Sequence, residues 1–208
     1  MIKNLKVIEF RKILVSDIFD QQYDDGVSWS RVYEYPLVIN ILKKYYKKGD
    51  LIHNTSWGFT GIHIKFKENL DRLFGGVLHS DIIESNLDNT FVYDISKPPV
   101  KNEIEKYDMV INVSTLEELN YDHLEIFNNL LLQLKPGGVF VATFDLNRAN
   151  NFFNLFSSKR RRVLQLKKFE NYFSQKIETN GIPINGENSK LKNIKYKHLN
   201  CGLMIIKK

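Results

Sequence analysis

The sequence contains a single cysteine, Cys201, which excludes an intramolecular disulfide framework. Cysteine and histidine residues show no metal-ligand spacing anywhere in the chain, and we therefore expect no metal site. The chain also lacks an uninterrupted apolar run long enough for a signal peptide or a membrane span. These absences predict a cytoplasmic protein without membrane insertion.

The chain does contain enough apolar material for one ordinary domain. It has 208 residues, of which 43% are hydrophobic and 12% are aromatic, so it is neither a disordered tail nor a fibrous repeat. Thirty Lys and Arg residues against 24 Asp and Glu residues leave a net charge of +6. That surplus favours anionic partners but is too small to make nucleic acid the default partner. Nothing in the sequence specifies the oligomeric state.

Short apolar segments alternate along the chain with stripes of apolar residues at helical spacing. The predicted strands are residues 51–52, 77–78, 91–93, 109–113 and 139–144. Helices are predicted over 37–45, 62–73 and 124–134, with Pro36 in the first turn of the leading helix. Strands that alternate with helices form parallel βαβ units. We therefore expect a single α/β domain, with an open, doubly wound, mostly parallel sheet and helices on both faces.

The two ends of the chain give weaker patterns. Residues 82–89 are too few for a crossover helix, which needs about a dozen, so a loop or a single helical turn is expected there. After residue 146 come a polar, basic segment, an apolar stripe at Val163, Leu166 and Phe173, and a run at 203–206 that suggests a final strand, compatible with an antiparallel direction. We divide the chain into an N-terminal arm (1–30), a core (31–145) and an acceptor-side insertion, helix and strand (146–208).

Candidate binding residues follow the predicted strands, because ligands of open α/β sheets bind outside the carboxyl ends of the strands. Gly58 and Gly61 lie in the loop after the first strand, where glycine lets the backbone approach a ligand. Asp81 ends the second strand, 23 positions after Gly58, a spacing typical of a carboxylate that binds a ribose diol. Asp94 and Ile95 follow the third strand and could receive an adenine ring. The alternative for Asp94 is an ordinary turn in which it caps its own backbone.

Two segments carry a resemblance to a known family. Residues 107–119, YDMVINVSTLEEL, and residues 134–143, LKPGGVFVAT, are similar to the fourth- and fifth-strand motifs of class I S-adenosylmethionine-dependent methyltransferases. The resemblance covers about residues 31–145. Residues 30–36, SRVYEYP, are similar to a segment found in members from sugar and cell-surface polysaccharide pathways. The resemblance implies a Rossmann-like sheet and S-adenosyl-L-methionine as the cofactor.

The resemblance also implies roles for individual residues. Asp81 would bind the ribose, Asp94 and Ile95 the adenine, and Ser114 would lie close to the sulfonium. The remaining cofactor contacts that it implies are Asn54, Ser56, Trp57, Gly58, Ile82 and Val113. The carboxylates expected beside the acceptor are Glu117 and Glu118, with His63 and His123 in reserve. An alternative for the two glutamates is dipole stabilisation in the first turn of a helix.

The first motif departs from the family pattern of acid, any residue, Gly, any residue, Gly. Residues 54–58 read NTSWG, so Asn54 replaces the acid and only Gly58 is kept; shifted by one residue, His53 replaces the acid and neither glycine is kept. The departure implies a lower cofactor affinity or a loop reshaped around Trp57. A chain of this kind could also be a degenerate enzyme.

Three functions therefore compete. The first is methyl transfer to a hydroxyl group of a small-molecule or saccharide acceptor, which could be anionic, in surface glycan biosynthesis. The second is a catalytically decayed binding or scaffold protein whose pocket is blocked. The third is nucleic-acid methylation guided by the basic run KRRR at 159–162. The alternatives for this run are a solvated charged face and a clamp for an anionic acceptor. Nucleic acid is disfavoured because an Asn/Asp-Pro-Pro-aromatic motif is missing after the fourth strand, and because Cys201 lies in the terminal strand.

Overall fold

A computed structural model describes residues 5–17, 30–58, 62–146, 164–178, 182–183, 198–199 and 201–208. The helices of eight or more residues are α1 (Arg31–Tyr45), α2 (Ile62–Leu73), α3 (His123–Leu132) and α4 (Leu166–Phe173). The strands are β1 (Lys6–Lys12), β2 (Ile52–Thr55), β3 (Val77–Asp81), β4 (Thr90–Val92), β5 (Tyr107–Val113), β6 (Leu134–Asp145), β7 (Ile182–Pro183), β8 (His198–Leu199) and β9 (Cys201–Lys207). The alternation of strands and helices that the sequence predicts is confirmed.

Seven of these strands form one sheet in the order β1-β9-β6-β5-β2-β3-β4. β9 runs antiparallel to both of its neighbours, β1 and β6, and the other pairings are parallel. From the centre, β2, β3 and β4 extend to one side while β5 and β6 extend to the other. The carboxyl ends of β2 and β5 therefore flank the point where strand order reverses, which is where ligands bind in open α/β sheets.

Each face of the sheet is covered by helices, as the fold class predicts. On one face α1 and α2 pack buried residues such as Val38, Leu42 and Leu70 against β2, β5, β6 and β9. On the other face α3 and α4 pack Phe127 and Phe169 against β5, β6 and β9. The helices thus bury both faces of the central strands, and the single domain has one apolar layer on each side of its sheet.

The first helix begins earlier than the sequence indicates. α1 starts at Arg31, so Pro36 lies inside the helix, and the prediction that it occupies the first turn is wrong. Pro36 has no N–H to donate to the carbonyl four residues earlier, and a proline there weakens a helix. Val38 and Leu42, both fully buried, hold this helix against the sheet. Tertiary packing therefore overrides the local signal.

Part of the segment predicted as an N-terminal arm belongs to the sheet. β1 pairs antiparallel with β9, with Phe10 opposite Met204, and forms one edge of the sheet. Four of the seven β1 residues are charged, which hides the strand in the sequence. The antiparallel final strand suggested by residues 203–206 is confirmed as β9.

Other sequence expectations have simple outcomes. Residues 82–89 form bends and a turn, as their length predicts. α4 corresponds to the stripe at Leu166 and Phe173, whereas Val163 and the basic run at 159–162 lie outside the described residues. Gly138 is structural, because a Cβ there would lie 2.9 Å from the carbonyl oxygen of Asp108. In the described ranges, no helix is long and apolar enough to cross a membrane.

Candidate functional site

A cavity of about 230 Å³ opens at the carboxyl ends of β2, β3 and β5. It lies at the point where strand order reverses, as expected for a ligand site in this architecture. The residues that line it are Arg31, Tyr35, Asn54, Thr55, Ser56, Trp57, Gly58, His63, Phe66, Asp81, Ile82, Asp94, Ile95, Val113, Thr115 and Leu119.

The loop after β2 forms one wall of the cavity. Ser56 and Gly58 both have left-handed backbone conformations, with φ of 54° and 65°. Glycine is the residue that adopts this region without a steric penalty, so Ser56 keeps a conformation that normally favours glycine. A Cβ on Gly58 would also lie 2.8 Å from Cδ2 of His63. The loop therefore needs glycine at position 58 for two independent reasons.

Asp81, at the end of β3, also lines the cavity and contacts this loop. Its Oδ2 accepts a hydrogen bond from the backbone N–H of Gly58 at 3.2 Å, and its Oδ1 accepts one from Ile83 at 3.4 Å. Neutral backbone donors leave further lone pairs on a carboxylate free to accept hydrogen bonds. Asp81 can therefore accept hydrogen bonds from a ligand diol while remaining tied to the loop.

Asp94 and Ile95, which follow β4, also line the cavity. The Asp94 Oδ1 accepts hydrogen bonds from the backbone N–H of Ser96 at 3.0 Å and from its hydroxyl at 2.6 Å. These bonds lower the pKa of Asp94 below its ordinary value. The turn-capping alternative is thus the arrangement that the structure shows for this carboxylate. Ile95 is buried and supplies an apolar surface.

A buried ion pair on α1 closes another side of the cavity. Arg31 Nη1 donates to Glu34 Oε2 at 2.5 Å, and its Nη2 donates to the carbonyl oxygen of Ser114 at 3.0 Å. The Ser114 hydroxyl donates to the other oxygen of Glu34 at 2.5 Å. Burial alone would raise the pKa of Glu34, but Arg31 and the Ser114 hydroxyl lower it, so the carboxylate stays ionised. Ser114 itself does not line the cavity.

Tyr35 and His63 form a hydrogen-bonded pair that lines the cavity. The Tyr35 hydroxyl bonds to Nδ1 of His63, and the Tyr35 ring stacks on Phe66 with ring centroids 3.9 Å apart. Burial, followed by the positive charge of Arg31, lowers the pKa of His63 below its ordinary value. His63 is therefore neutral at physiological pH, with Nε2 not engaged by this pair.

The structure places the two predicted catalytic glutamates away from the cavity wall. Glu117 is fully buried, and its Oε1 accepts the backbone N–H of Asp145 at 2.8 Å. Burial and then the charge of Asp145 raise the pKa of Glu117 to about 8. Glu118 is exposed. His123 is buried beside α4, where its Nδ1 accepts the backbone N–H of Gln165.

Nine of the ten residues expected at a cofactor thus meet at one cavity, and Ser114 is the exception. Sequence reasoning left out Arg31 and Tyr35, and kept His63 only in reserve. Arg31 and Tyr35 belong to the SRVYEYP segment, so a signal for them was present. For His63 the sequence carries no such signal, because its role depends on where α2 begins relative to Gly58.

Trp57 is one of the residues that line the cavity. Its side chain is 3% exposed, and its ring packs edge-on to His79 at 6.1 Å between centroids. At about 230 Å³ the cavity is smaller than the roughly 300–1,000 Å³ typical of small-molecule sites. A ligand the size of a nucleoside joined to an amino acid therefore either extends beyond this cavity or requires its wall to move.

Comparisons with known proteins identify the fold. No protein-family model and no curated protein matches the chain. A chain of the complex between the Haloferax volcanii Trm112 methyltransferase activator and a putative methyltransferase is similar over 82% of this chain and 87% of its own, with 12% identity and a TM-score of 0.54. The cyclase SpnF is similar over 89% of this chain and 84% of its own, with 12% identity and a TM-score of 0.57.

A third similar structure contains a bound ligand. Haemonchus contortus phosphoethanolamine N-methyltransferase 2, in complex with S-adenosylhomocysteine and phosphomonomethylethanolamine, matches 84% of this chain with 16% identity and a TM-score of 0.55. The present chain spans 53% of that protein. At identities this low, the structural similarity shows a shared α/β fold and nothing more specific. Because one of the three similar structures is a cyclase, the fold alone does not define the reaction.

The donor set of the cavity suits a nucleoside better than a metal. Among the described residues, no group of three or more His, Cys, Asp or Glu side chains is arranged to hold a metal ion. The Asp81 carboxylate, the left-handed loop at Ser56 and Gly58, and the apolar side chains of Ile82 and Ile95 fit a ribose and a flat ring.

Proposed function

We propose that the protein binds S-adenosyl-L-methionine in this cavity and transfers its methyl group to a hydroxyl group of a small-molecule or saccharide acceptor. The observation that carries the proposal is the position of the Asp81 carboxylate beside the left-handed loop of Ser56 and Gly58, at the switch point of the sheet. The methyltransferase fold of the similar structures supports it.

The proposed cofactor contacts are the nine predicted residues that line the cavity: Asn54, Ser56, Trp57, Gly58, Asp81, Ile82, Asp94, Ile95 and Val113. Ser114 acts indirectly, through its bonds to Arg31 and Glu34. When bound, S-adenosylmethionine would supply a methyl group activated on a positively charged sulfur. The protein's own task is then to align the acceptor and to remove its proton.

His63 is the proposed proton acceptor, in place of Glu117 and Glu118. It lines the cavity, and neither glutamate does. The role requires the tautomer in which Nδ1–H donates to the Tyr35 oxygen, so that Nε2 carries the lone pair that takes the proton of the acceptor hydroxyl. The lowered pKa of His63 keeps that lone pair available at neutral pH.

The acceptor class rests on two features. A neutral histidine suits a hydroxyl acceptor, which must lose a proton on methylation. The similarity of residues 30–36 to a segment from sugar and polysaccharide methyltransferases favours a saccharide and a role in surface glycan biosynthesis. In this proposal residues 31–145 bind the cofactor and residues 146–208 contribute to the acceptor side.

Calorimetric titration with S-adenosylhomocysteine and S-adenosylmethionine tests the binding step. We expect binding to the wild-type protein and a tenfold to hundredfold loss in Asp81→Ala, because hydrogen bonds to a charged group contribute about 1.5–3 kcal/mol. Asp88→Ala is the matched control, since Asp88 is an exposed acid in the loop that follows Asp81. Absence of binding at millimolar ligand would refute the proposal.

A second experiment tests whether His63 accepts the proton of the acceptor hydroxyl. A panel of monosaccharides and nucleotide sugars is incubated with S-adenosylmethionine labelled on its methyl group, and label transfer is counted. We expect His63→Asn to keep S-adenosylhomocysteine binding and to lose at least tenfold in transfer. His123→Asn, outside the cavity, should transfer normally. Equal transfer by His63→Asn and wild type would contradict the role of His63.

A second candidate function is a methyltransferase-like scaffold without catalysis. The small cavity, the buried Trp57 and the Asn54 in the first motif favour it. It predicts no binding to the wild-type protein, whereas Trp57→Ala, which enlarges the cavity, would admit S-adenosylhomocysteine. Binding to the wild-type protein rejects it.

A further inference from the structure

Three residues from distant parts of the chain form a closed ring of hydrogen bonds beside the cavity. Arg31 and Glu34 lie in the first turn of α1, and Ser114 follows β5. The Ser114 hydroxyl donates to Glu34 Oε1 at 2.5 Å, and Arg31 Nη1 donates to Glu34 Oε2 at 2.5 Å. Arg31 Nη2 closes the ring by donating to the carbonyl oxygen of Ser114 at 3.0 Å. Glu34 is 0% exposed and Ser114 is 7% exposed, so both are shielded from water.

Ser114 has a backbone conformation that is unusual for serine. Its φ is 40°, in the left-handed region that favours glycine. A residue other than glycine keeps such a conformation only where its surroundings hold it. The N–H of Ser114 donates to the carbonyl oxygen of Thr143 at 2.9 Å, its carbonyl oxygen accepts from Arg31, and its hydroxyl donates to Glu34. The ring therefore supplies two of the three hydrogen bonds that hold this turn.

The turn at Ser114 connects two residues that line the cavity. Val113 precedes it and Thr115 follows it, and both line the cavity although Ser114 does not. The Thr115 hydroxyl lies 3.2 Å from the carbonyl oxygen of Val113 and 3.4 Å from that of Ser56, in the loop after β2. Because φ and ψ are the soft dihedrals of the backbone, a change of φ at position 114 would move Thr115 relative to β5 and to that loop.

The ring accounts for the residue types at positions 34 and 114. Glycine would adopt the left-handed backbone more readily than Ser114, but it has no hydroxyl to donate to Glu34. The carboxylate of Glu34 offers an acceptor oxygen to each of two donors, whereas a glutamine amide offers one oxygen and an NH₂ group. Glutamine could therefore keep only one of the two bonds, and it would leave the guanidinium of Arg31 without its ion-pair partner.

The two α1 members of the ring belong to the segment SRVYEYP at 30–36. Two tyrosines of the same segment also make buried contacts. The Tyr35 hydroxyl bonds to Nδ1 of His63 on α2, and the Tyr33 hydroxyl donates to Sγ of Cys201 at the start of β9, at 3.0 Å. The segment thus ties α1 to α2, to the turn after β5 and to β9. These contacts give it a role in the geometry of the cavity whichever acceptor is bound.

We infer that Glu34 and Ser114 are positioning residues: through their ring with Arg31 they hold the turn after β5, so that Val113 and Thr115 form the cavity wall beside the loop after β2. The inference rests on the proposed function, in which this wall belongs to the cofactor site. Glu34 and Ser114 act through their neighbours, because neither of them lines the cavity.

Calorimetric titration with S-adenosylhomocysteine compares two variants that open the ring at different points. Ser114→Gly can keep the left-handed backbone and removes the hydroxyl, and Glu34→Gln removes the charge at nearly constant shape. We expect each variant to lose about fivefold or more in affinity. The double variant should lose no more than about twofold beyond the more affected single variant, because both changes break the same ring. Two unrelated structural defects would instead multiply.

The matched controls make the same substitutions at exposed positions. Ser174→Gly replaces an exposed serine that is also left-handed, with a φ of 53° at the end of α4. Glu125→Gln replaces an exposed glutamate in the first turn of α3, as Glu34 lies in the first turn of α1. Both controls should bind S-adenosylhomocysteine within about twofold of the wild-type protein.

Backbone NMR of the protein without ligand gives an independent measurement. The carbon chemical shifts and the amide coupling constant of residue 114 report its φ. We expect left-handed values in the wild-type protein and in Glu125→Gln, and a population outside the left-handed region in Glu34→Gln.

The outcomes are distinguishable. If the wild-type protein binds S-adenosylhomocysteine and either Ser114→Gly or Glu34→Gln binds it equally well, the inference is overturned while the proposed function stands. Multiplied losses in the double variant, or a residue 114 that stays fully left-handed in Glu34→Gln, also overturn it. If Glu34→Gln does not fold, the comparison of Ser114→Gly with Ser174→Gly decides. If the wild-type protein does not bind, the proposed function fails, and the NMR measurement decides whether Glu34 holds the turn.

Discussion

The two halves of the sheet differ in how many polar side chains they bury. β2 and β3, next to the cavity, bury polar residues that are each no more than 1% exposed: His53, Asn54, Thr55, His79 and Ser80. β6 and β9, on the other side of β5, bury apolar residues to the same degree: Phe140, Val141, Ala142, Met204, Ile205 and Ile206.

The difference separates stability from the geometry of the site. A buried aliphatic or aromatic side chain contributes about 1.5–3 kcal/mol, whereas a satisfied hydrogen bond contributes about 0.5–1.5 kcal/mol. In the polar half the bonds are satisfied, as for His53, whose Nδ1 and Nε2 lie 2.7 Å from Gln133 and Ser80. We infer that the apolar half supplies most of the stability and the polar half orients the cavity side chains.

The largest expected effect is in the apolar half. Phe140 is fully buried and packs edge-on to Phe127 at 5.4 Å between centroids. We expect Phe140→Ala to lower the free energy of unfolding by about 3–5 kcal/mol, measured by urea denaturation, with ligand binding unchanged while the protein stays folded. Phe140→Leu should cost less. A loss below about 1 kcal/mol would break the contrast between the halves.

The polar half should instead be sensitive to acid. Burial lowers the pKa of His53 and of His79 to about 4, below the value near 6.5 of the unfolded chain. As the pH falls the unfolded chain binds protons first, so this stability is present above about pH 6.5 and is lost toward pH 4. We expect a loss of about 2 kcal/mol for each histidine between pH 7.5 and 5.

Urea denaturation across this pH range measures the loss. The variant His53→Gln lacks one of the two titrating groups, and its unfolding free energy should fall by about 2 kcal/mol less than that of the wild type. The difference between the two proteins is the informative quantity, because Glu117 contributes equally to both. An equal change in His53→Gln and wild type from pH 7.5 to 5 would show that the stability of the polar half does not depend on a neutral His53.

The smallest effect concerns Glu117, just beyond β5, where the two halves meet. Its pKa is raised to about 8, so the folded protein loses stability as the pH rises from about 4.5 through 8. Glu117→Gln removes this penalty. We expect a gain of about 1–2 kcal/mol in the free energy of unfolding at pH 8. The gain is limited because Oε2, which has no partner in the described residues, is replaced by an amide N–H₂ that still needs one. At pH 5 the gain should be smaller, because the cost of keeping Glu117 protonated falls as the pH approaches 4.5.

Glu118→Gln, an exposed neighbour, is the control and should change stability by less than about 0.5 kcal/mol. If Glu117→Gln were instead less stable than the wild type at pH 8, an ionised Glu117 paired with Arg31 would be the better account.

The fold was largely readable from the sequence because its signals are periodic. The β-branched run of β5 and the helical stripe of α3 before Gly137 predict a buried strand and a packed helix from local pattern alone. β1 carries no such pattern because charged residues interrupt it. The strand tolerates these charges because it lies at the edge of the sheet and because Arg11 pairs with Asp17. The start of α1 could not be predicted from Pro36 for a related reason: tertiary packing, and not local propensity, sets where this helix begins.

The candidate site was readable where it depends on strand ends. Asp81 and Gly58 could be placed because the carboxyl ends of parallel strands meet at one edge. Arg31, Tyr35 and His63 reach the same cavity from α1 and α2, so no spacing along the chain brings them together. The reverse holds for Glu117 and Glu118, which follow the expected strand but are not among the residues that line the cavity.

By itself, the sequence determined the strand and helix order, the α/β class and the position of the switch-point loop, since these follow from apolar periodicity and glycine placement. Only the tertiary structure decided that Asp71, His79 and Asn54 form one chain of hydrogen bonds, because they lie on α2, β3 and β2 and meet through packing. Proton positions in such a chain depend on every partner at once, and local sequence does not encode them.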